Sequence, residues 1–397
     1  MRRRQFLTLS LACAATGAGA EAASASPMGP RGTGDLGIVV ERASGSILIV
    51  ETSGRTVLAR VAQLGDLSHA SAVFSRDERF AYVFGRDGAL TKVDLVNARI
   101  ETRIVQAGNS IGGAISDDGR LIAVANYEPG GIKLFDSASL AELGEIAADY
   151  GAEQRSKTVG IADAPGRRFL FSLYDGGEVW LADCAEAGPP KVTKFRGIGK
   201  LPYDALITND GRYYIAGLFG EDGMVCLDLW AEQPKPQRIL AGYGRGEEKL
   251  PVYKMPHLRG WAQAGDRFLL PAVGRNEVLV VEAGTFQEIG RVAVHGQPVF
   301  VMARPDGRHA WVNFAHPKND RVQVIDTRSL AVVRELRPGP AVLHMEFTSR
   351  GHEVWVSVRD ADRIDVYDTR SFAKLAEVPA RKPSGIFFAS RAHRTGL

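Results

Sequence analysis

Short runs of alternating apolar and polar residues, divided by Asp-Gly-type turns, fill the chain between residues 26 and 390. A two-residue alternation is typical of β-strands, and no segment of comparable length shows a convincing helical period. A turn followed by an apolar strand recurs along the chain. These units are Arg79–Val83, Gly119–Ala123, Gly166–Leu170, Gly211–Ile215, Gly265–Leu269, Gly307–Trp311 and Gly351–Trp355.

A second repeat is an apolar strand that ends on an acidic residue. The spacings between successive acids are 43, 42, 47, 45, 54, 44 and 42 residues. One four-stranded sheet cannot bury both of its faces alone, but a ring of such sheets can. Eight units of about four strands therefore predict an all-β, eight-bladed β-propeller. The eight acids are Glu51, Asp94, Asp136, Asp183, Asp228, Glu282, Asp326 and Asp368.

The two ends of the repeat region predict how the ring closes. Ser384–Phe388 has the character of an innermost strand, and Gly37–Val40 that of the second strand of a blade. We expect the two to share one blade, which removes an open sheet edge. The predicted divisions are an export signal over 1–25, an N-terminal segment over 26–36, the propeller over 37–390 and a tail over 391–397.

The first 25 residues read as a targeting segment. Arg3-Arg4-Gln5-Phe6-Leu7 resembles a twin-arginine export motif, and Phe6–Ala15 is too short to span a bilayer. We expect a periplasmic protein without a membrane anchor; the twin-arginine and Sec routes both stay open, as does lipidation at Cys13. The net charge is +3, and without these residues it falls to +1. Such a neutral body gives no reason to expect nucleic acid as a partner.

The predicted starts of the inner strands meet at one mouth of the central channel. Three histidines fall there, His69, His257 and His344, together with several cations. Imidazole can bind iron, and Arg or Lys can pair with carboxylates, so this set favours a flat anionic ligand. A structural, hydrogen-bonded role stays open for each histidine. The longest unit also carries an irregular loop, Gly242–Glu248, of the kind that often has a function.

Other motifs contribute less. Gly32–Gly37 fits G-x-G-x-x-G, but a strand follows it where a dinucleotide site needs a helix, so no dinucleotide is expected. Tyr127 and Tyr174 each precede an acid and are interpreted as turn residues. Cys184 and Cys226 are interpreted as buried small side chains.

Several stretches resemble one known family. They are Arg31–Gly37, Gly65–Ser71, Ala125–Gly131, Gly217–Gly223, Gly242–His257 and Pro340–Phe347. Over nearly all of residues 26–390, the chain resembles the NirF family of periplasmic proteins required for haem d1 biosynthesis. That family is similar to the eight-bladed haem d1 domain of cytochrome cd1 nitrite reductase.

The resemblance assigns roles to particular residues. His69 matches the proximal iron ligand of the reductase, and His257 matches one of its two distal histidines. The second distal histidine falls at Arg304, so the pair is incomplete, and the sequence has no C-x-x-C-H motif for a c-type haem. Both departures argue against nitrite reduction. His344 falls at a glutamine of the reductase and is expected to act as a donor or a base.

The resemblance implies a protein that binds haem d1 or dihydro-haem d1 and assists a late maturation step. A non-catalytic carrier and a propeller used as an interaction platform remain alternatives. Nitrite reductase and other haem d1 assembly proteins are the partners it implies. The expected cofactor-binding residues are His69, Arg86, Asn109, Arg155, Lys157, Tyr203, Arg259, Arg304 and Lys382, and the candidate catalytic residues are His257 and His344.

Overall fold

A computed structural model describes residues 34–151, 154–186, 188–243, 260–272 and 274–390. These residues form eight four-stranded antiparallel sheets, numbered here as blades in chain order, and blade 8 combines the two ends of the chain. The predicted eight-bladed propeller is confirmed. The strands of blades 1 to 4 are β4 (Ser71–Phe74), β5 (Phe80–Phe84), β6 (Ala89–Asp94) and β7 (Arg99–Val105); β8 (Asn109–Ile115), β9 (Leu121–Glu128), β10 (Ile132–Asp136) and β11 (Glu142–Ile146); β14 (Thr158–Ala164), β15 (Arg168–Leu173), β16 (Glu178–Asp183) and β17 (Lys191–Phe195); β18 (Pro202–Ile207), β19 (Tyr213–Leu218), β20 (Met224–Asp228) and β21 (Gln237–Ile239).

The remaining strands complete the ring. Blades 5 to 8 are β22 (Ala262–Ala264), β23 (Arg267–Ala272), β24 (Glu277–Glu282) and β25 (Glu288–Ala293); β26 (Pro298–Ala303), β27 (His309–Phe314), β28 (Val322–Asp326) and β29 (Ala331–Leu336); β30 (Val342–Phe347), β31 (Glu353–Val358), β32 (Arg363–Asp368) and β33 (Lys374–Pro379); and β34 (Pro383–Phe388) with β1 (Leu36–Glu41), β2 (Ser46–Glu51) and β3 (Thr56–Val61). A small hairpin of β12 (Asp149–Gly151) and β13 (Gln154–Arg155) precedes blade 3, and one 3₁₀ turn covers Arg359–Ala361. Within the described ranges, no helix is long and apolar enough to cross a membrane.

The core is divided into eight apolar clusters, one at each junction between neighbouring blades. Alternate residues of one strand serve different junctions: in β15, Phe169 and Phe171 face blade 2, whereas Leu170 faces blade 4. Both faces of a blade are therefore buried, which explains the nearly unbroken apolar runs of the central strands. Cys184 and Cys226 are free and buried in two such junctions, and burial raises the pKa of their thiols to about 11 and about 12.

The acids of the sequence repeat end the third strand of every blade, from Glu51 in β2 to Asp368 in β32. Their carboxylates accept hydrogen bonds from the turn that follows. Asp326, for example, accepts from the Arg328 and Ser329 amides at 3.0 and 2.9 Å. This local turn chemistry gives the repeat its regular spacing.

Ring closure occurs in blade 8, where β34 pairs antiparallel with β1. The Ala389 amide donates to the Leu36 carbonyl at 2.9 Å. The innermost strands β4, β8, β14, β18, β22, β26, β30 and β34 all run in the same sense along the channel. We call the end where they begin the first mouth and the opposite end the second mouth.

Candidate functional site

His69 lies at the first mouth, on a loop that leads into β4. The Asp66 carboxylate accepts a hydrogen bond from the Ser68 amide at 2.8 Å, which closes a tight turn just before the histidine. Hydrogen bonds from Ser68 and the charge of Arg86 hold the pKa of Asp66 below its usual value. The loop is tied to the next hairpin, because the Arg86 amide donates to the Asp66 carbonyl at 2.8 Å. His69 is half-buried on this ordered support.

Bulges interrupt the inner strands near the first mouth. In β18, Tyr203 and Asp204 together oppose the single residue Gly217 of β19. The same irregularity recurs in β14, β26, β30 and β34, and β8 pairs irregularly with β9. A bulge redirects side chains and is common beside functional sites. In β18 the bulge contains Tyr203, whose ring belongs to the aromatic cluster described next.

An aromatic cluster spans blades 2 to 4 at this mouth. The hydroxyls of Tyr127 and Tyr203 are 3.0 Å apart, although blade 3 lies between their blades. The two side chains must therefore reach across the mouth to meet. Tyr174 lies edge-on to Tyr203 at 5.9 Å, and Phe219 packs on Tyr203 at 5.8 Å between ring centroids. We call Tyr127, Tyr174, Tyr203 and Phe219 the aromatic wall. Tyr127 lies in β9, so its interpretation as a turn residue is wrong, whereas Tyr174 lies in the turn after β15 and its ring belongs to the wall as well.

Both tyrosine hydroxyls of the pair stay protonated at neutral pH. Burial raises the pKa of Tyr203, and Asp204 and Tyr127 raise it further. Burial likewise raises the pKa of Tyr127, against smaller lowering effects from Tyr203 and Arg86. One hydroxyl of the pair therefore has a proton to donate to a neighbouring acceptor.

Two of the predicted cations flank the aromatic wall. The Arg86 guanidinium carbon lies 5.6 Å from the Tyr127 ring centre, and the Lys157 ammonium lies 5.8 Å from that of Tyr174. Lys157 also pairs with Asp175 at 3.3 Å. Arginine stacked on a ring keeps its hydrogen-bond donors at the edge of the guanidinium, where an anionic group can reach them.

Two further predicted cations of the described chain, Arg155 and Lys382, also have acidic partners. Arg155 pairs with Glu145 of β11 at 2.7 Å and with Asp149 of β12 at 3.2 Å. Lys382 lies 3.8 Å from Asp360. Both belong to the first mouth, and each, like Lys157, already has an acidic partner.

Asn109 and Thr158 begin the inner strands β8 and β14. Asn109 Oδ1 and Thr158 Oγ1 are buried and have no hydrogen-bond partner among the described residues. Buried polar atoms normally find a partner, so these two point to a bound group at the mouth.

Arg304 does not lie with these residues. It follows β26 directly, so it stands at the second mouth, roughly 20 Å along the channel from the start of that strand. Its guanidinium is buried and engaged by Asp306 at 2.7 Å and by the Gly351 carbonyl at 3.2 Å. Arg304 therefore holds two turns together, and its match to a distal histidine carries no argument about the ligand site.

His257 and Arg259 lie outside the described residues, as does most of the predicted functional loop, from residue 244 onward. His344 lies in β30 at the first mouth. Its ring stands edge-on to Phe300 at 4.9 Å and packs on Phe387 at 5.6 Å. Within the described part of the chain, no three His, Cys, Asp or Glu side chains form a cluster able to hold a metal ion.

Sequence reasoning missed two polar residues that support the site, Asn313 and Ser357. Both are buried in second strands, at 1% and 0% exposure. Each follows a Trp-Val pair, Trp311-Val312 and Trp355-Val356, and so breaks an apolar run at the same position of successive blades. A polar residue at the same position of two successive second strands is therefore the sequence feature that could have identified Asn313 and Ser357.

Comparison with known proteins supports the propeller fold and identifies related haem d1 proteins. The family model described as "Cytochrome D1 heme domain" matches residues 31–392. Protein NirF of Stutzerimonas stutzeri is 59% identical over 369 residues, covering 92% of this chain and 94% of that protein. A dihydro-heme d1 dehydrogenase of Pseudomonas aeruginosa is 29% identical, covering 90% of this chain and 72% of that protein.

Among solved structures, the dihydro-heme d1 dehydrogenase NirN in complex with DHE matches with a TM-score of 0.81 at 26% identity. The match covers 93% of this chain and 78% of that one. The family match, the identity to NirF and the shared propeller agree. The chain belongs to the cytochrome d1 haem domain family, in its NirF branch.

Proposed function

We propose that this protein acts in haem d1 biosynthesis in the periplasm, where it binds haem d1 or dihydro-haem d1 at the first mouth and assists a final maturation step. Membership of the NirF branch supports the general role. The observation that carries the binding proposal is the aromatic wall of the first mouth, at the same end of the channel as a half-buried histidine on an ordered loop. The Arg3-Arg4 motif supports the location, and cell fractionation tests it.

The chemistry of the mouth fits a tetrapyrrole. The rings of Tyr174, Tyr203 and Phe219 offer apolar faces for a flat macrocycle. Arg86 offers positive charge for its carboxylates, and Lys157 would do so by exchanging its Asp175 partner for a carboxylate of the ligand. Asn109 Oδ1 and Thr158 Oγ1 have no hydrogen-bond partner within the described ranges. A bound ligand would supply hydrogen-bond partners for these two atoms.

In this proposal each residue has a distinct task. The His69 imidazole holds the iron, and the Asp66 turn fixes that histidine before the ligand arrives. Arg86 and the Tyr127–Tyr203 hydroxyl pair orient the polar edge of the macrocycle. When bound, the tetrapyrrole supplies the iron and the conjugated ring on which redox chemistry takes place.

The first test is a titration of purified protein with haem d1, followed by visible absorption. We expect a saturable spectral change in the wild type and a different or absent one in His69→Ala. His316→Ala is the matched control, because His316 is an exposed histidine at the same mouth. An unchanged spectrum in the wild type would reject tetrapyrrole binding. The interaction platform would then be the remaining candidate function. A wild-type spectrum in His69→Ala would reject the ligand assignment.

A non-catalytic carrier remains the second candidate. The sequence has no C-x-x-C-H motif, so the chain has no covalent c-type haem through which to exchange electrons. Incubation with purified dihydro-haem d1 and an added electron acceptor, followed by mass analysis of the product, separates the two. More than one equivalent of oxidised product per protein, above a control without protein, supports catalysis, whereas dihydro-haem d1 recovered unchanged supports the carrier.

A further inference from the structure

The backbone of His344 lies in a bulge that one side chain stabilises. Leu343 and His344 oppose the single residue Ser357, because Val342 pairs with Val358 and Met345 with Val356. The His344 amide donates to Ser357 Oγ at 2.8 Å, and that hydroxyl is 3.2 Å from the His344 carbonyl, to which it donates. The buried hydroxyl therefore replaces strand-pairing hydrogen bonds that the bulge removes.

Asn313 occupies the same position in blade 6. Val299 and Phe300 oppose it, and its Oδ1 accepts from the Phe300 amide at 2.9 Å. Its Nδ2 donates to the Leu343 carbonyl of blade 7 at 3.1 Å. Asn313 thus joins the bulge that carries Phe300 to the bulge that carries His344, and Phe300 is the ring against which His344 packs.

A hydrogen bond from blade 8 to the His344 ring determines which ring nitrogen carries the proton. The Ile386 amide of blade 8 donates to His344 Nδ1 at 3.3 Å. A ring nitrogen that accepts a hydrogen bond carries no proton, so the hydrogen of the neutral imidazole is on Nε2. Nδ1 can take up a proton only by losing the Ile386 bond. The unprotonated nitrogen, which a general base needs, is therefore already engaged by the fold.

We propose that the Ile386 amide holds His344 as the Nε2–H tautomer and that Ser357 and Asn313 are positioning residues, which fix the bulged backbone so that the imidazole meets that amide. In this arrangement His344 binds the tetrapyrrole as a hydrogen-bond donor and not as a general base. The ligand half of this inference rests on the proposed function. The tautomer half depends only on contacts within the chain. The tautomer decides which of two roles His344 can have, hydrogen-bond donor or general base, both of which the sequence left open.

The tautomer is tested without ligand. NMR of the full-length protein with isotope-labelled histidine distinguishes the two tautomers by their long-range nitrogen–proton correlations, and His344→Gln identifies the signal. We expect Nε2–H in the wild type and in Ser357→Thr, which keeps the hydroxyl. We expect a mixture of tautomers or a shifted signal in Ser357→Ala. An Nδ1–H tautomer in the wild type would overturn the proposal.

The donor role is tested with haem d1 and two amides of different length. The terminal amide of glutamine reaches about as far as Nε2 of histidine, whereas that of asparagine reaches only about as far as Nδ1. His344→Gln should bind haem d1 within about threefold of the wild type, and His344→Asn about tenfold more weakly, the effect of one lost hydrogen bond. Ser357→Ala should also lose about tenfold, with recovery in Ser357→Thr.

Ser349→Ala and His352→Gln are the matched controls, since both residues are exposed at the second mouth of the same blade. Equal losses in His344→Gln and His344→Asn would overturn the donor role. If even the wild type fails to bind haem d1, the donor role fails with the proposed function, while the NMR result still decides the tautomer.

Discussion

At the level of single residues, the surroundings of His309 disfavour its charged form. His309, at the second mouth, packs edge-on against Phe372 at 5.4 Å. Its Nδ1 is buried and has no hydrogen-bond partner in the described part of the chain. Burial lowers the pKa of His309, and the charges of Arg308 and Arg304 lower it further against the opposing effect of Asp326. The fold therefore favours the neutral imidazole.

This preference predicts a pH dependence of stability. Because the pKa is lower in the folded than in the unfolded state, the unfolded chain binds more protons below about pH 6.5. The contribution is fully present above that pH and is lost as the pH falls toward the folded pKa. Urea unfolding should show a smaller decrease in stability between pH 7 and pH 5 in His309→Leu than in the wild type. His352→Leu, at an exposed histidine of the same mouth, should keep the wild-type slope; equal slopes in all three would contradict the assignment.

At the level of the elements, the loop that carries His69 depends on one glycine. Gly65 has a φ of +85°, a left-handed conformation that costs other residues energy. A Cβ there would collide with the Asp87 carboxylate and the Arg103 guanidinium, which form an ion pair at 2.6 Å. Only glycine at position 65 therefore leaves room for the loop to pack against the Asp87–Arg103 ion pair of blade 1.

Gly65→Ala should destabilise the fold by about 1–3 kcal/mol, from strain and the displaced ion pair. It should also weaken the haem d1 spectral change, because the Asp66 turn that supports His69 follows directly. Urea denaturation and the haem d1 titration measure the two effects. Gly144→Ala is the control, since a Cβ at Gly144 meets no atom within 4 Å. A haem d1 titration of Gly65→Ala that matches the wild type would show that the loop does not position His69.

The elements also show which features a sequence can predict. The acids that end the third strands were found because their hydrogen bonds are local: Asp368 accepts from the amides of Arg370 and Ser371, only two and three residues later. The bulges were not found, because they arise from pairing between two strands. The Tyr127–Tyr203 contact joins blades that are not neighbours, so no spacing between residues in the sequence predicts this contact. Arg304 was misplaced because matching residue types says nothing about which end of a strand they occupy.

At the level of the whole molecule, Glu41 adds a side-chain connection between the two ends of the ring. Glu41 is the last residue of β1 and is fully buried. Its carboxylate accepts two hydrogen bonds from the Arg60 guanidinium, at 2.7 and 3.0 Å, and one from the Arg381 amide at 2.7 Å. Arg381 lies two residues before β34, so one carboxylate connects the N-terminal strands to the start of the C-terminal strand.

Burial on its own raises the pKa of Glu41, but the hydrogen bonds from Arg60, the Arg381 amide and Ser46 outweigh burial and lower the pKa below its usual value. The stabilisation is therefore present above about pH 4.5 and is lost as the pH falls through the folded pKa. Glu41→Ala should cost about 3 kcal/mol at pH 7, because Arg60 and the Arg381 amide lose their shared partner. It should also narrow the difference in stability between pH 7 and pH 4.

The control is Glu101→Ala, which removes an exposed pair with Arg99 on the outer strand of blade 1. Such a surface pair contributes less than about 1 kcal/mol. Urea unfolding gives the free energies, and protease cleavage near the chain ends reports local opening of blade 8. If Glu41→Ala and Glu101→Ala cost the same, or if Glu41→Ala unfolds without earlier exposure of blade 8, strand pairing between β1 and β34 alone closes the ring. If Glu41→Ala exposes blade 8 first, one buried carboxylate controls whether the eight inner strands, and with them the first mouth, stay in register.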